Sequence, residues 1–249
     1  MLAIIGGSGL TQLANLEITS RQIVRTPYGE PSGPLAYGRL AGSDVAFLPR
    51  HGYGHTLAPH EINYRANIWA LHSRGVKCIA AVCTVGGITP EHPAGSLAVP
   101  DQLIDYTWGR RSTFFEGSEQ PVTHIDFTNP YDESARQMCI VAAREAGIAI
   151  VPSGTYAATQ GPRLETRAEI DRLERDGATL VGMTGMPEAA LARELGLKYA
   201  MIAVVVNSAA GRRESESGIV VGDIGKSMEA AMAQVRVVVE RIVESYGQA

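Results

Sequence analysis

Charge of one sign, paired cysteines and long apolar runs are all scarce in this 249-residue chain, and each shortage removes a class of function. Twenty-two Lys and Arg against 26 Asp and Glu leave a net charge of −4, with no basic tract. A nucleic-acid binder carries a concentrated cationic face, so nucleic acid is not an expected partner. Three cysteines, Cys78, Cys83 and Cys139, form an odd set without CxxC spacing. That argues against a disulfide scaffold and for reduced thiols in a cytoplasmic setting, with Cys78 and Cys139 acting as small buried hydrophobes. No apolar run approaches the ~20 residues that cross a bilayer, so no membrane is expected. The apolar start MLAIIGGSGL lacks a basic region and a cleavage-like segment, and reads as a first strand rather than a signal peptide. Catalytic metal and hydrolase signatures are equally thin. His51, His55 and His60 lie close together, but GHTLAPH contains a proline and lacks both HExxH and a carboxylate at ligand spacing, so no metal is expected. No GxSxG elbow supports a Ser-His-Asp hydrolase, and nothing beside Cys83 in sequence activates it as a nucleophile.

What the chain does have is a repeated alternation. Continuous apolar runs occur at 2–5, 45–48, 78–83, 148–151, 179–183 and 199–206. Runs of this kind suit strands buried on both faces. Between them, 60–74 carries Tyr64, Ile68 and Leu71 at helical spacing, while 131–146 and 166–175 have mixed polar and apolar faces. A last stripe runs through Ile224, Met228, Met232, Val235, Val239 and Ile242, with Asp223 as a candidate N-cap; such a stripe belongs in a core. The pattern predicts an α/β fold with a central mixed β-sheet flanked by helices. With no linker, repeat or low-complexity tract, 1–249 reads as a single domain. Residues 105–132 differ: they are aromatic, broken by Gly and Pro and poorly periodic, as in a loop that is functional or buried in a partner.

Polar chemistry gathers where the apolar runs end. Gly6-Gly7-Ser8-Gly9 follows the first run and could bring backbone N–H groups and a hydroxyl to an anion, or could simply make a tight turn. It is not GxGxxG. Arg50-His51-Gly52 offers an anion fork, Cys83-Thr84-Val85-Gly86-Gly87 a hydroxyl and glycines, and Thr184 a further hydroxyl. Any one of these can be an ordinary loop. Together, four strand ends finishing in donors and none in carboxylates point to a shared oxyanion such as phosphate. Asn207, in VVVNSAAG, could donate to O6 of a purine while accepting from a proton on N7. Glu165, in GPRLETRAE, could accept the N1–H that 6-oxopurines carry and adenine lacks. A turn-forming role is the plainer alternative for Asn207.

The segments IIGGSGL, LPRHGYGHTLAPHEINYRANIWALHSRGV, GPRLETRAEI and MTGMPEAALARELGL carry a resemblance to the trimeric purine nucleoside phosphorylase and methylthioadenosine phosphorylase family, over essentially the whole chain. The resemblance implies reversible phosphorolysis without a cofactor, inorganic phosphate being a co-substrate. It assigns phosphate to Ser8, Arg50, His51, Cys83, Thr84 and Thr184, the sugar to Met183, and the base to Asn207 with Ser208 and Ala209 beside it. His124 resembles the residue that reaches a neighbouring subunit's pocket in a homotrimer. Two departures bear on substrate. The methylthioadenosine enzymes carry carboxylates at the positions of Asn207 and Ala209, whereas Glu165 with Asn207 resembles the inosine and guanosine enzymes. Those enzymes bind the 5′-hydroxyl through a histidine, where this chain has Ile219, an aliphatic residue that could pack on a methylthio group or simply sit in the core. Together the departures imply a 5′-methylthio nucleoside of hypoxanthine. Inosine or guanosine, relaxed use of methylthioadenosine, and a non-catalytic nucleoside-binding module stand as alternatives.

Overall fold

Fully buried apolar runs make the backbone of the fold. The computed structural model describes residues 1–117 and 121–248, and leaves out the side chains of Val221, Asp223, Ile224, Lys226 and Ser227. Strands β1 (Leu2–Gly6), β4 (Ser43–Pro49) and β5 (Cys78–Gly87) run parallel side by side, β1 in the middle. Strand β11 (Lys198–Ser208) is parallel to β5 along nearly its whole length. Because these four strands run in one direction, Gly6, Pro49, Gly87 and Ser208 all finish at the same edge, where a helix-flanked sheet places its ligand crevice.

Among the described residues the sheet has eleven strands, and it is mixed. Strands β2 (Glu17–Gln22) and β3 (Leu35–Leu40) extend it antiparallel beyond β4. The short β6 (Leu97–Ala98) and β8 (Ile150–Val151) lie beyond β11. On the other side, β10 (Leu180–Gly182) pairs antiparallel with the end of β5, followed by β9 (Thr155–Ala158) and β7 (Gln102–Asp105). Thr184 therefore does not leave a fourth parallel strand. It arrives because β10 runs back alongside β5.

Among the described residues, five α-helices cover this sheet: α1 (Tyr64–Ser73), α2 (Glu133–Glu145), α3 (Arg167–Arg175), α4 (Glu188–Glu194) and α5 (Val221–Gln248). Asn63 and Asp132 cap α1 and α2 through side-chain oxygens, and Thr166 with Glu169 forms a capping box on α3. The α5 stripe is core, with Met232, Val235, Val239 and Ile242 at most 1% exposed. The helix begins at Val221, so Asp223 lies inside its first turn rather than at the cap; the side chains of Asp223 and Ile224 are outside the described set. Among the described residues, no helix is long and apolar enough to cross a membrane.

The long segment 105–132 contains no regular element between β7 and α2 among its described residues. It is anchored within its own chain more than its composition suggests. Phe114 is 4% exposed and packs on Tyr28 with ring centroids 5.0 Å apart. Arg110 donates to the backbone carbonyls of Met183 (2.8 Å), Met186 (2.6 Å) and Gln160 (2.9 Å), tying the ends of β9 and β10 together.

A cleft at the common strand edge

One cleft at this edge collects Ser8, Arg50, His51, Cys83, Thr84, Glu165, Met183, Thr184, Asn207, Ala209 and Ile219. Residues scattered over more than 200 positions meet because the parallel strands β1, β4, β5 and β11 end together, the antiparallel β10 delivers Met183 and Thr184 beside them, and the segments ahead of α3 and α5 add Glu165 and Ile219. Ser208 and His124 are not among its walls. Ser208, next to Asn207, is fully buried, its hydroxyl donating to Glu214 Oε1 at 2.8 Å. His124 is exposed in the 105–132 segment.

The anion end is built on Arg50, which has no exposed surface. Its Nε and Nη2 donate to the two carboxylate oxygens of Glu188, each at 2.7 Å, and Nη1 donates to the Val82 carbonyl at 2.8 Å. Tyr199 adds a hydrogen bond to Glu188 Oε1 at 2.8 Å. The free fork expected from sequence is thus already half engaged. Of the five guanidinium N–H groups, three are committed, leaving two for a ligand. Burial opposes the Arg50 charge, but the doubly bonded Glu188 carboxylate holds the proton more firmly than in free arginine. Gly7 is required where β1 passes this group: a Cβ there would lie 2.7 Å from the Val82 oxygen and 3.0 Å from Arg50 Nη1.

His51 is not a second cation. Burial pushes its imidazole down to about 4, with the Arg50 charge acting the same way. Its Nδ1 donates to the Leu57 carbonyl at 2.8 Å, so the neutral ring keeps Nε2 as an acceptor, able to take the proton of a hydrogen phosphate. His55 stacks on it at 4.6 Å between centroids and bonds Ser8 Oγ at 2.8 Å. Burial likewise pushes the Cys83 thiol up, keeping it neutral, and the Thr184 hydroxyl points to its sulfur at 3.6 Å. The Thr184 and Gly185 N–H groups are taken by the Tyr156 hydroxyl at 3.1 and 3.2 Å.

At the other end stand the base-reading candidates. A β-bulge between Val205 and Asn207 shifts the β11 register against β5, and such bulges re-aim side chains. Val206 and Asn207 consequently both wall the cleft. Asn207 Nδ2 donates to its neighbour's carbonyl, Ser208 O, at 2.6 Å, which leaves one N–H and the amide oxygen for a ligand. Glu165, just ahead of the α3 cap, accepts from the Thr159 hydroxyl at 2.6 Å. Burial raises its carboxyl above the ordinary range, while the Thr159 bond pulls the other way. Val181, Met183, Val206 and Ile219 supply apolar wall between the two ends.

Glu188, Thr159 and Arg110 carry no signal of their own in the sequence, and His55 stands out there only as part of a histidine cluster without metal spacing. Glu188 sits in MTGMPEAALARELGL as one more helix carboxylate, 138 residues from Arg50, and no local spacing announces the pair. The six-residue interval from Thr159 to Glu165 is a local signal, since a Thr flanking a turn commonly bonds nearby polar groups.

The sequence profile of the phosphorylase superfamily matches residues 1–244, and the chain belongs to that superfamily. Among its relatives is a probable S-methyl-5′-thioinosine phosphorylase of Pseudomonas syringae pv. tomato, 52% identical over 243 residues and covering 98% of each chain. A 6-oxopurine nucleoside phosphorylase of Pyrococcus furiosus is 47% identical over 215 residues, 84% of this chain and 80% of that one. In structure, the methylthioadenosine phosphorylase of Schistosoma mansoni in complex with adenine matches with a TM-score of 0.95. It is 32% identical, and the match covers 100% of this chain and 92% of that one.

Proposed function

We propose that the protein cleaves S-methyl-5′-thioinosine with inorganic phosphate, giving hypoxanthine and 5-methylthioribose 1-phosphate, as a cofactor-free step of purine salvage. The observation that carries this is the pairing across one cleft of a carboxylate, Glu165, and an amide, Asn207, with aliphatic Ile219 sharing the wall. Phosphate lies against Arg50, Ser8, Thr84 and neutral His51. As the glycosidic bond breaks, the sugar becomes cationic and the purine gains the bond's electron pair. A phosphate oxygen then bonds to the anomeric carbon. Asn207 stabilises the leaving base at N7 and O6, and Glu165 accepts N1–H. Groups already aimed at developing charge supply most of such acceleration. Met183 packs against the sugar.

Adenine has a lone pair at N1, so an ionised Glu165 would set two acceptors against each other, a mismatch that can cost orders of magnitude in kcat/KM. The relatives named for S-methyl-5′-thioinosine and for 6-oxopurine nucleosides support this half of the reading. At the sugar's 5′ end, Ile219 offers no hydrogen bond to a hydroxyl but accepts a thioether. A second reading, a general 6-oxopurine nucleoside phosphorylase, is supported by the 47% identity to the Pyrococcus enzyme; that reading assigns Glu165 and Asn207 the same roles and parts from the first only over which 5′ group packs on Ile219. The protein acts as a single-domain subunit of a cytoplasmic homotrimer, His124 completing a neighbour's cleft. Free base released from S-methyl-5′-thioinosine, inosine and methylthioadenosine, with and without phosphate, tests these assignments together. Release of base without phosphate would make the protein a hydrolase and remove the phosphate site.

A further inference from the structure

Glu165 faces the base purely as an acceptor only if it is ionised and keeps one oxygen free, and one neighbour favours both conditions. Thr159 sits at the end of β9, its backbone N–H fixed to the Gly182 carbonyl at 2.8 Å. Its hydroxyl carries one proton and has two acceptors within reach, Glu165 Oε1 at 2.6 Å and Gly182 O at 3.3 Å. The shorter bond commits the proton to the carboxylate, occupies Oε1 and leaves Oε2 for a ligand. A hydroxyl donated to a carboxylate favours its charged form.

We propose that Thr159 is a specificity-determining positioning residue: by donating to Glu165 it keeps that side chain an acceptor, so that the cleft takes a purine with hydrogen on N1 and refuses one without it. This rests on the base-site reading above. Once protonated, Glu165 would turn from acceptor to donor and could bond the bare N1 of a 6-aminopurine, so discrimination between the two bases depends on pH. Burial works toward that protonated form and the Thr159 bond against it. The other charges around Glu165 do little to decide the matter. Arg163, on its own loop, is tied at 2.7 and 2.8 Å to the Glu169 carboxylate of α3, so opposite charges adjoin. Arg172 of α3 turns to Asp176, and Arg110 to backbone carbonyls. Across the cleft His51 is neutral and Asn207 uncharged.

The experiment measures kcat/KM for S-methyl-5′-thioinosine and for methylthioadenosine from pH 5 to 8.5, in the full-length protein and in Thr159→Val, Thr159→Ser and Glu165→Gln. The unmodified protein loses discrimination as pH falls. In Thr159→Val the ratio of the two substrates falls at least tenfold at pH 7, and the pH at which discrimination is lost moves upward; Thr159→Ser restores both. The phosphate KM, read in the same assays, stays within about twofold, because Thr159 does not touch the anion end. Should the valine variant not fold, Thr159→Ala carries the same expectation. Collapse of discrimination in Glu165→Gln with an unchanged ratio and pH profile in Thr159→Val overturns the role of Thr159 and leaves the base reading standing. An equal loss for both substrates in Thr159→Val also overturns it, as a merely structural effect. Unchanged preference in Glu165→Gln removes the base reading itself, and this inference with it.

Discussion

Arg50 illustrates how a side chain's partners change what a substitution means. A charge-assisted contact to phosphate is worth roughly 1.5–3 kcal/mol, which Arg50→Ala would remove. The same change strands Glu188, buried with no exposed surface, and breaking a buried pair from one side costs about 3–5 kcal/mol of stability. Arg50→Ala is therefore expected to lower the melting temperature sharply as well as raise the phosphate KM. A variant of unchanged melting temperature would show that the buried pair contributes little. Asn207→Asp exchanges an amide for an acceptor and should shift preference toward the 6-amino substrate while lowering 6-oxopurine turnover; retained 6-oxopurine preference would remove Asn207 from the base site. Ile219→His should narrow the gap between S-methyl-5′-thioinosine and inosine. Leaving a hydroxyl unpartnered costs on the order of 1–3 kcal/mol, and burying the methylthio group acts in the same direction. Equal use of both nucleosides by the unmodified protein would mean that no apolar 5′ pocket exists.

The loop that follows β4 brings pH into stability. His51 titrates near 4 in the folded protein against about 6.5 in an unfolded chain. Its folded-state value is depressed, so its contribution is fully present above about pH 6.5 and is lost as the unfolded state takes up a proton that the folded state refuses. The melting temperature should fall between pH 6.5 and 4, and His51→Gln should flatten that slope; an identical slope in the variant would mean that His51 is accessible and ordinary. Elements such as β1, β5, β11 and α5 were legible in the sequence because each presents an unbroken buried run or a buried stripe. Strands β2, β3, β6, β7 and β9 were not; Gly38 and Arg39 interrupt the apolar pattern of β3, and β6 has two residues. β2 is an edge strand, exposed at most of its positions, and β7 and β9 have four residues each, too few for a period to register. The antiparallel return of β10 was also hidden, since an apolar run carries no direction. The cleft residues were readable one by one, chiefly through family motifs. What held them in place, the Arg50–Glu188 pair and the Arg110 clamp, was not, because long-range partners leave no local spacing.

For the whole molecule, the 105–132 segment is the point of tension. Phe114 and Arg110 bind it to its own chain, yet His124, Val122 and Trp108 remain exposed, the last two at 78% and 71%. A closed three-fold ring would cover such a surface through a heterologous contact repeated three times. Light scattering should give a trimer, and His124→Ala should impair substrate binding without altering the phosphate requirement. An active monomer would contradict the ring and confine the cleft to one chain. Beneath the oligomer question lies the claim that an acceptor and an amide in one cleft select a purine protonated at N1. The most direct measurement is kcat/KM for S-methyl-5′-thioinosine against methylthioadenosine at pH 7.5 in saturating phosphate, for the unmodified protein. A preference for S-methyl-5′-thioinosine of a hundredfold or more is expected from the opposed acceptors at N1. Methylthioadenosine cleaved as well or better would contradict it.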